Sequence, residues 1–196
     1  MTLLGTTGDG NTPLSPEELA GLIPNLATKE ELNEWERENI LLAREWAISG
    51  RISPADMASD QYIRKLHEKM FGATWKWAGQ YRVTEKNIGV PSHEILERLM
   101  ALFGDARFWI ENKTYSADGM AVRFHHRLVF IHPFANGNGR HARLIADVLV
   151  AKLGRSVFTW GSANLVGPGQ ARNHYLEALR AADKGDMNPL LDFARS

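Results

Sequence analysis

Residues 132–143 read HPFANGNGRHAR. His132, a side chain whose ordinary pKa is about 6.5, can take a proton from an attacking hydroxyl at neutral pH. Gly137 and Gly139 flank Asn138 and allow a tight turn whose amides all point one way, a nest for phosphate oxygens. Arg140 and Arg143 stand three apart, so on a helix they share a face and can reach two successive phosphates. Singly, each of these residues also reads as a cap or a surface cation. Together, a base, an anion nest and two guanidinium groups suit phosphoryl or nucleotidyl transfer. No G-K-[ST] follows the glycines, so the stretch is not a Walker A loop. His125, His126 and His141 lack metal-ligand spacing and neighbouring acids, and read as solvated or packing histidines.

Positioning these groups takes a helix, a loop and a second helix. Met120, Phe124, Leu128 and Ile131 carry helical spacing, and Pro133 disfavours the α conformation at His132 and should stop that helix there. The next helix is expected from about Gly139 through Ile145, Val148 and Leu149 to Gly154, a plausible glycine cap. HPFANGN then lies in the loop and GRHAR at a helix N-terminus, where unpaired N–H groups and the helix dipole favour an anion.

The remaining elements follow from caps and periodicity. Residues 1–14, rich in Gly, Thr and Pro, read as a mobile or loosely packed arm. Ser15-Pro16-Glu17-Glu18 opens a short helix, and Thr28 with Glu31 opens a longer one that ends at Gly50. One helix is expected over 54–70. The aromatic, glycine-punctuated stretch after it suggests a small β-hairpin near 79–90. Helical spacing resumes from Ser92, and a last helix pair is expected near 168–195. The fold class is mainly α with one small β element.

The 196 residues fit one domain, which at this size can bury about 70% of its unfolded surface. Lys+Arg and Asp+Glu are both 23, which argues against direct nucleic-acid binding by a basic face. There are no cysteines, so disulfides, thiolate metal sites and thiol nucleophiles are excluded. No apolar run reaches the length of a membrane span and the N-terminus lacks signal-peptide character, so a cytoplasmic protein that does not engage a membrane is expected.

HPFANGNGRHAR resembles the signature loop of Fic-domain proteins (the Fic/DOC superfamily), His-x-Phe-x-Asp/Glu-Gly-Asn-Gly-Arg-x-x-Arg, and departs from it at one fixed position, Asn136. LHEKMFGATWKWAGQYR at 66–82 and YLEALRAADKGDMNPLLDF at 175–193 extend the resemblance over about residues 54–195. Its nearest subgroup is the one called mobile mystery protein B. The resemblance implies a Fic-like helical bundle with a β-hairpin flap: an arm over 1–14, N-terminal helices including a candidate inhibitory helix over 15–50, and a core domain over 51–196.

It further implies a protein adenylyltransferase that moves AMP from ATP, with Mg²⁺ or Mn²⁺, onto a Tyr, Thr or Ser of a target protein. His132 would be the general base and Phe134 a core anchor. Gly137, Asn138 and Gly139 would form the anion hole, Arg140 would also contact phosphate, and Arg143 would hold the γ-phosphate. Asn136 stands where the family has a metal-binding acid; its amide oxygen can ligate a hard cation but brings no charge. Phosphate or other nucleotide transfer, and a nucleotide-binding interaction module of weak catalysis, are the alternatives.

Residues Val83, Thr84, Glu85, Lys86, Asn87 and Ile88 would form the flap that pairs with an extended target segment, while Trp75 and Trp77 read as core. Many Fic proteins also carry an inhibitory helix, Ser/Thr-x-x-x-Glu-Gly/Asn. ATKEELN at 27–33 is the nearest match, with Glu31 as the blocking acid against Arg143 and Asn33 as its companion, and with Ala27 and Leu32 departing from the pattern. Glu38-Asn39, preceded by Glu34, is a rival placement, and Thr28-x-x-Glu31 is also a capping box. The subgroup's name implies a mobile-element setting with room for a DNA-binding partner protein encoded alongside; a homodimer is left open.

Overall fold

A computed structural model describes residues 12–162, 165 and 169–196; residues 1–11 of the expected arm lie outside this range. Helix starts follow local chemistry. Ser15 and Thr28 each form a complete capping box, with Glu18 and Glu31 respectively, ahead of α1 (Pro16–Leu19) and α2 (Lys29–Ser49). The single helix expected over 54–70 is two: α3 (Pro54–Met57) and α4 (Asp60–Phe71). Ala58 leaves helical geometry, and the Ser59 hydroxyl both donates to Asp56 O and caps Tyr62 N, so the chain restarts instead of continuing. A 3₁₀ turn at Ser92–Glu94 leads into α5 (Ile95–Asn112). Then come α6 (Ala117–Ile131), α7 (Asn138–Lys152), α8 (Gln170–Asp183) and α9 (Asn188–Arg195).

The centre of the bundle is the α6–α7 pair, whose mutual packing is the most extensive of any two helices. Phe124 and Leu128 of α6 and Ile145, Val148 and Leu149 of α7 are buried together with Ile63, Leu66 and Met70 of α4 and Leu99, Leu102 and Phe103 of α5. Helix α2 lies across α4 and α7 and presents the small residues Ala43 and Ala47, which let it approach closely. No helix among the described residues is long and apolar enough to cross a membrane.

The expected hairpin over 79–90 does not form. The bridges Leu22 with Trp75 and Tyr81 with Phe134 are isolated, and residues 82–90 carry no β pairing. The reason is Arg82. Its buried guanidinium donates to the carbonyls of His132 (2.7 Å), Thr84 (2.9 Å) and Val90, so these oxygens are satisfied by a side chain and not by a facing strand. Residues 82–90 therefore wrap around one cation as an irregular loop.

Four histidines, His67, His125, His132 and His141, are buried. Burial holds His125 down to about 3, His132 and His141 to about 4, and His67 well below its ordinary value. A base whose folded pKa is depressed takes its proton first in the unfolded chain, so stability is full above about pH 6.5 and falls as pH drops toward the folded values. Asp147, raised to about 6 by burial, opposes this as a single group. The melting temperature should therefore fall steadily between pH 7 and pH 5, with each histidine contributing at most about 1.4 kcal/mol per pH unit; a scan of Tm against pH checks it, and His141→Gln should flatten the slope.

Candidate functional site

Loop 132–137 joins α6 to α7, and its conformation is held from below. Phe134 is fully buried and stacks on His67 with ring centroids 3.7 Å apart. His67 accepts Gly79 N–H at Nδ1 (3.0 Å) and donates from Nε2 to Asn136 O (3.1 Å), which fixes it as a neutral tautomer bridging two chain segments. His141, edge-on to Phe134 with ring centroids 5.1 Å apart, donates to Ile63 O at 2.9 Å. Asn138 closes the loop on itself: its Oδ1 accepts Phe134 N–H and its Nδ2 donates to Phe134 O.

His132 terminates α6 in the left-handed region, φ 56° and ψ 58°, costly for a side chain with a Cβ. Arg82 compensates. Its Nε binds His132 O, its backbone N–H donates to Pro133 O at 2.9 Å, and Gly89 packs so closely on His132 that a Cβ there would come within 2.5 Å of the histidine's own. The imidazole Nδ1 faces Val129 O at 3.4 Å and Nε2 lies 2.7 Å from Thr12 Oγ1. A proton on Nδ1 leaves Nε2 as the acceptor, the state a general base needs. Burial, reinforced by the nearby Arg82 and Lys86 cations and opposed by the Val129 carbonyl, lowers its pKa to about 4, so it is neutral at physiological pH.

Helix α7 begins with no side-chain cap, and its first helical bond is His141 N–H to Gly137 O. The amides of Asn138, Gly139 and Arg140 precede that bond and form the bare positive end of a 15-residue helix. They open, with His132 and Arg143, onto one cavity of about 570 Å³. Arg143 is backed by Tyr175, its guanidinium carbon 5.4 Å from the ring centroid, and the Tyr175 hydroxyl in turn meets His125 Nε2 at 3.0 Å. Arg140 points elsewhere: it pairs with the buried Glu36 of α2 and lies over the Phe71 ring. Glu36 Oε1 also accepts the Trp75 indole N–H at 2.8 Å.

These placements revise the inhibitory assignment. Glu31 is exposed and turns its carboxylate back on Ala27 N–H and Thr28 N–H, so it serves its own helix as a cap and does not meet Arg143. Glu38 is exposed, and Asn33 lines the cavity. The acid that does reach an arginine of the 132–143 stretch is Glu36, which pairs with Arg140 of α7. The expected flap residues are dispersed: Val83 is exposed, Thr84 and Lys86 bind Glu18, Glu85 accepts from Ser92, and Asn87 and Ile88 line the cavity. Trp75 is buried and Trp77 packs on the core, as expected.

The fit for a divalent cation is poor. Among the described residues no cluster of three His, Asp or Glu could hold one. Asn136 Oδ1 is a neutral oxygen that already accepts Gly137 N–H at 2.6 Å and lies 3.5 Å from an Arg140 nitrogen.

Residues 58–150, which include the whole of this loop and the helices that carry it, match the family described as Fic/DOC. The chain belongs to the Fic/DOC family. Its helical architecture recurs in solved Fic structures: Fic-1 of C. elegans (24% identity, TM-score 0.63, 89% of this chain and 50% of that one) and the BepC protein of Bartonella tribocorum, solved with bound AMPPNP (19% identity, TM-score 0.67, 91% and 96%). Curated relatives named protein adenylyltransferase Fic include that of Nematostella vectensis, 28% identical over 155 residues covering 77% of this chain and 35% of the relative. That of Drosophila willistoni is 31% identical over 139 residues, covering 67% and 26%. The chain thus spans about a third or less of the length of these relatives.

Sequence reasoning missed two contacts that shape the cavity, Glu36 with Arg140 and Arg82 with the His132 carbonyl. Glu36 did carry a signal, since an acid facing the apolar side of α2 beside Ala43 and Ala47 invites a buried partner.

The two motif glycines separate by function. Gly137 has φ 78° and a Cβ there would strike the Phe71 ring at 2.6 Å, whereas a Cβ on Gly139 would meet only Arg143 Nη1 at 3.6 Å. Gly137→Ala should cost about 1–3 kcal/mol or more and lower Tm by several degrees; Gly139→Ala should melt within a degree or two of wild type. Parallel thermal melts check both.

Proposed function

We propose that this Fic chain transfers AMP from ATP to a hydroxyl side chain of a protein, with His132 as the base. The observation that carries the reading is the opening of a neutral imidazole, a bare helix N-terminus and Arg143 onto one cavity. The acceptor hydroxyl gives its proton to His132 Nε2 as its oxygen bonds to the α-phosphorus. The bond from that phosphorus to the bridging oxygen breaks, and pyrophosphate leaves. The amides of Asn138, Gly139 and Arg140 stabilise the phosphate charge, and Arg143, steadied by Tyr175, holds the terminal phosphate and so sets which phosphorus faces the base. The names of the curated relatives support the same chemistry.

Mg²⁺ belongs to this reading as the counter-ion that ATP brings with it. Asn136 adds at most one neutral oxygen, so the metal is held chiefly by phosphate. Asn136→Asp, which keeps an acceptor for Gly137 N–H and adds a charge, should lower the Mg²⁺ concentration that gives half-maximal labelling several-fold; a metal titration of the transfer rate reads this.

Regulation enters through α2. We infer that the acid restraining the site is Glu36, which engages Arg140, and that its release raises activity. With α-labelled ATP and a bacterial lysate, label should enter protein, vanish in His132→Ala by at least a hundredfold, and rise in Glu36→Gln, which keeps the Trp75 acceptor; Glu31→Gln, which keeps an acceptor for the Ala27 and Thr28 amides, should leave labelling at the wild-type level. Label from γ-labelled ATP in place of α-labelled ATP would point to phosphate transfer. ATP binding without label in any variant would point to a binding module.

A further inference from the structure

The segment ahead of α1 enters the cavity and is bound there. Thr12 Oγ1 lies 2.7 Å from His132 Nε2, and the Thr12 carbonyl accepts Asn136 Nδ2 at 3.2 Å. The next carbonyl, Pro13 O, accepts Lys86 Nζ at 2.9 Å, and Leu14 packs on the core. Lys86 is itself fixed by Glu18 of α1, whose other oxygen accepts the Thr84 hydroxyl and whose capping bond to Ser15 N–H sets the direction of the chain. Residues 12–14 are therefore gripped through main-chain oxygens by the loop over 83–90 and by the catalytic loop. Main-chain recognition of an extended segment is indifferent to most side chains, so it places whichever hydroxyl stands at the right register.

We propose that Thr12 is an acceptor hydroxyl of this chain's own transfer reaction, with residues 12–14 occupying in cis the place of a target segment. The inference rests on the AMP-transfer reading. Thr12 Oγ bonds to the α-phosphorus of ATP, its proton passes to His132 Nε2, the bond to the bridging oxygen breaks, and pyrophosphate departs with that electron pair. Because Nδ1 of His132 faces the Val129 carbonyl, the hydrogen in the Thr12–His132 contact is donated by the hydroxyl, the direction this step requires. The product carries an AMP diester on a segment that already lies in the cavity, which closes the site to other proteins until the segment leaves.

Purified wild type and Glu36→Gln are incubated with ATP and Mg²⁺ over a wide range of chain concentrations, and AMP is located by intact and tandem mass spectrometry. The expected result is one AMP per chain, on Thr12, accumulating at a fractional rate independent of chain concentration. Thr12→Ser keeps the modification, and Thr12→Val loses it while still labelling lysate proteins. AMP on lysate proteins or on other residues of the chain, with Thr12 bare, overturns the inference and leaves AMP transfer standing. A fractional rate that climbs in proportion to chain concentration overturns the intramolecular route. No AMP on any protein, with ATP still bound, overturns this inference and the transfer reading together.

Discussion

The arrangement hinges on keeping one residue, His132, in a backbone conformation that a histidine does not favour. An α-helix that simply stopped at Pro133 would leave the imidazole pointing along the helix and its carbonyl unpaired. The left-handed turn swings the ring into the cavity, and the cost of order 1–3 kcal/mol is offset by Arg82, which binds the His132 carbonyl with a charge-assisted hydrogen bond. Since the same guanidinium also gathers the Thr84 and Val90 carbonyls, the loop over the site and the loop of the site are one unit. A buried arginine with so many carbonyl partners and only a distant, exposed Glu85 at 3.9 Å is a structural cross-link as much as a charge.

Charge is distributed around the cavity with a clear division. The histidines near the loop are neutral and buried, so they contribute geometry and, at His132, a lone pair. Positive potential comes instead from the start of α7 and from the cations around the cavity, Arg140 and Arg143 of α7 among them. Three residues along a helix turn a side chain through about 300°, so Arg140 and Arg143 diverge by roughly 60°. That angle is enough to give them different partners: Glu36 and Phe71 for the first, Tyr175 for the second. Both line the cavity, where the resemblance would have both meet phosphate, but Arg140 is engaged by an acid.

Much of this was legible in the residues. Capping boxes at Ser15 and Thr28, the stop at Pro133 and the glycine-bounded start of α7 are local effects, decided within four or five residues, and each element begins and ends where those effects place it. The expected hairpin does not form, because alternation and glycine signals report what a strand would look like, not whether a partner strand or a guanidinium will take the carbonyls. Arg82 is separated from the His132 carbonyl by fifty residues, and nothing within a local window reveals such a bond. Glu31 differs for the opposite reason: its local role, the cap, is visible and sufficient, whereas Glu36, on the apolar side of α2, shows which partners it meets only with α2 laid against α4 and α7.

The position of α2 bears on stability and, on the proposed reading, on control. A carboxylate as buried as Glu36 is tolerated only with partners, and it has two, the Trp75 indole and the Arg140 guanidinium. Only one of these belongs to the nucleotide loop. Moving Arg140 toward a phosphate leaves Glu36 with the indole alone, so the free energy of nucleotide binding must exceed the cost of unpairing a buried carboxylate. On the proposed reading, helix α2 would set a threshold for phosphate entering the site, through a contact that also helps fix α2 to the bundle. Loosening α2 and filling the site would then be coupled, and whatever draws α2 away would lower the threshold by as much as the bound phosphate loosens α2.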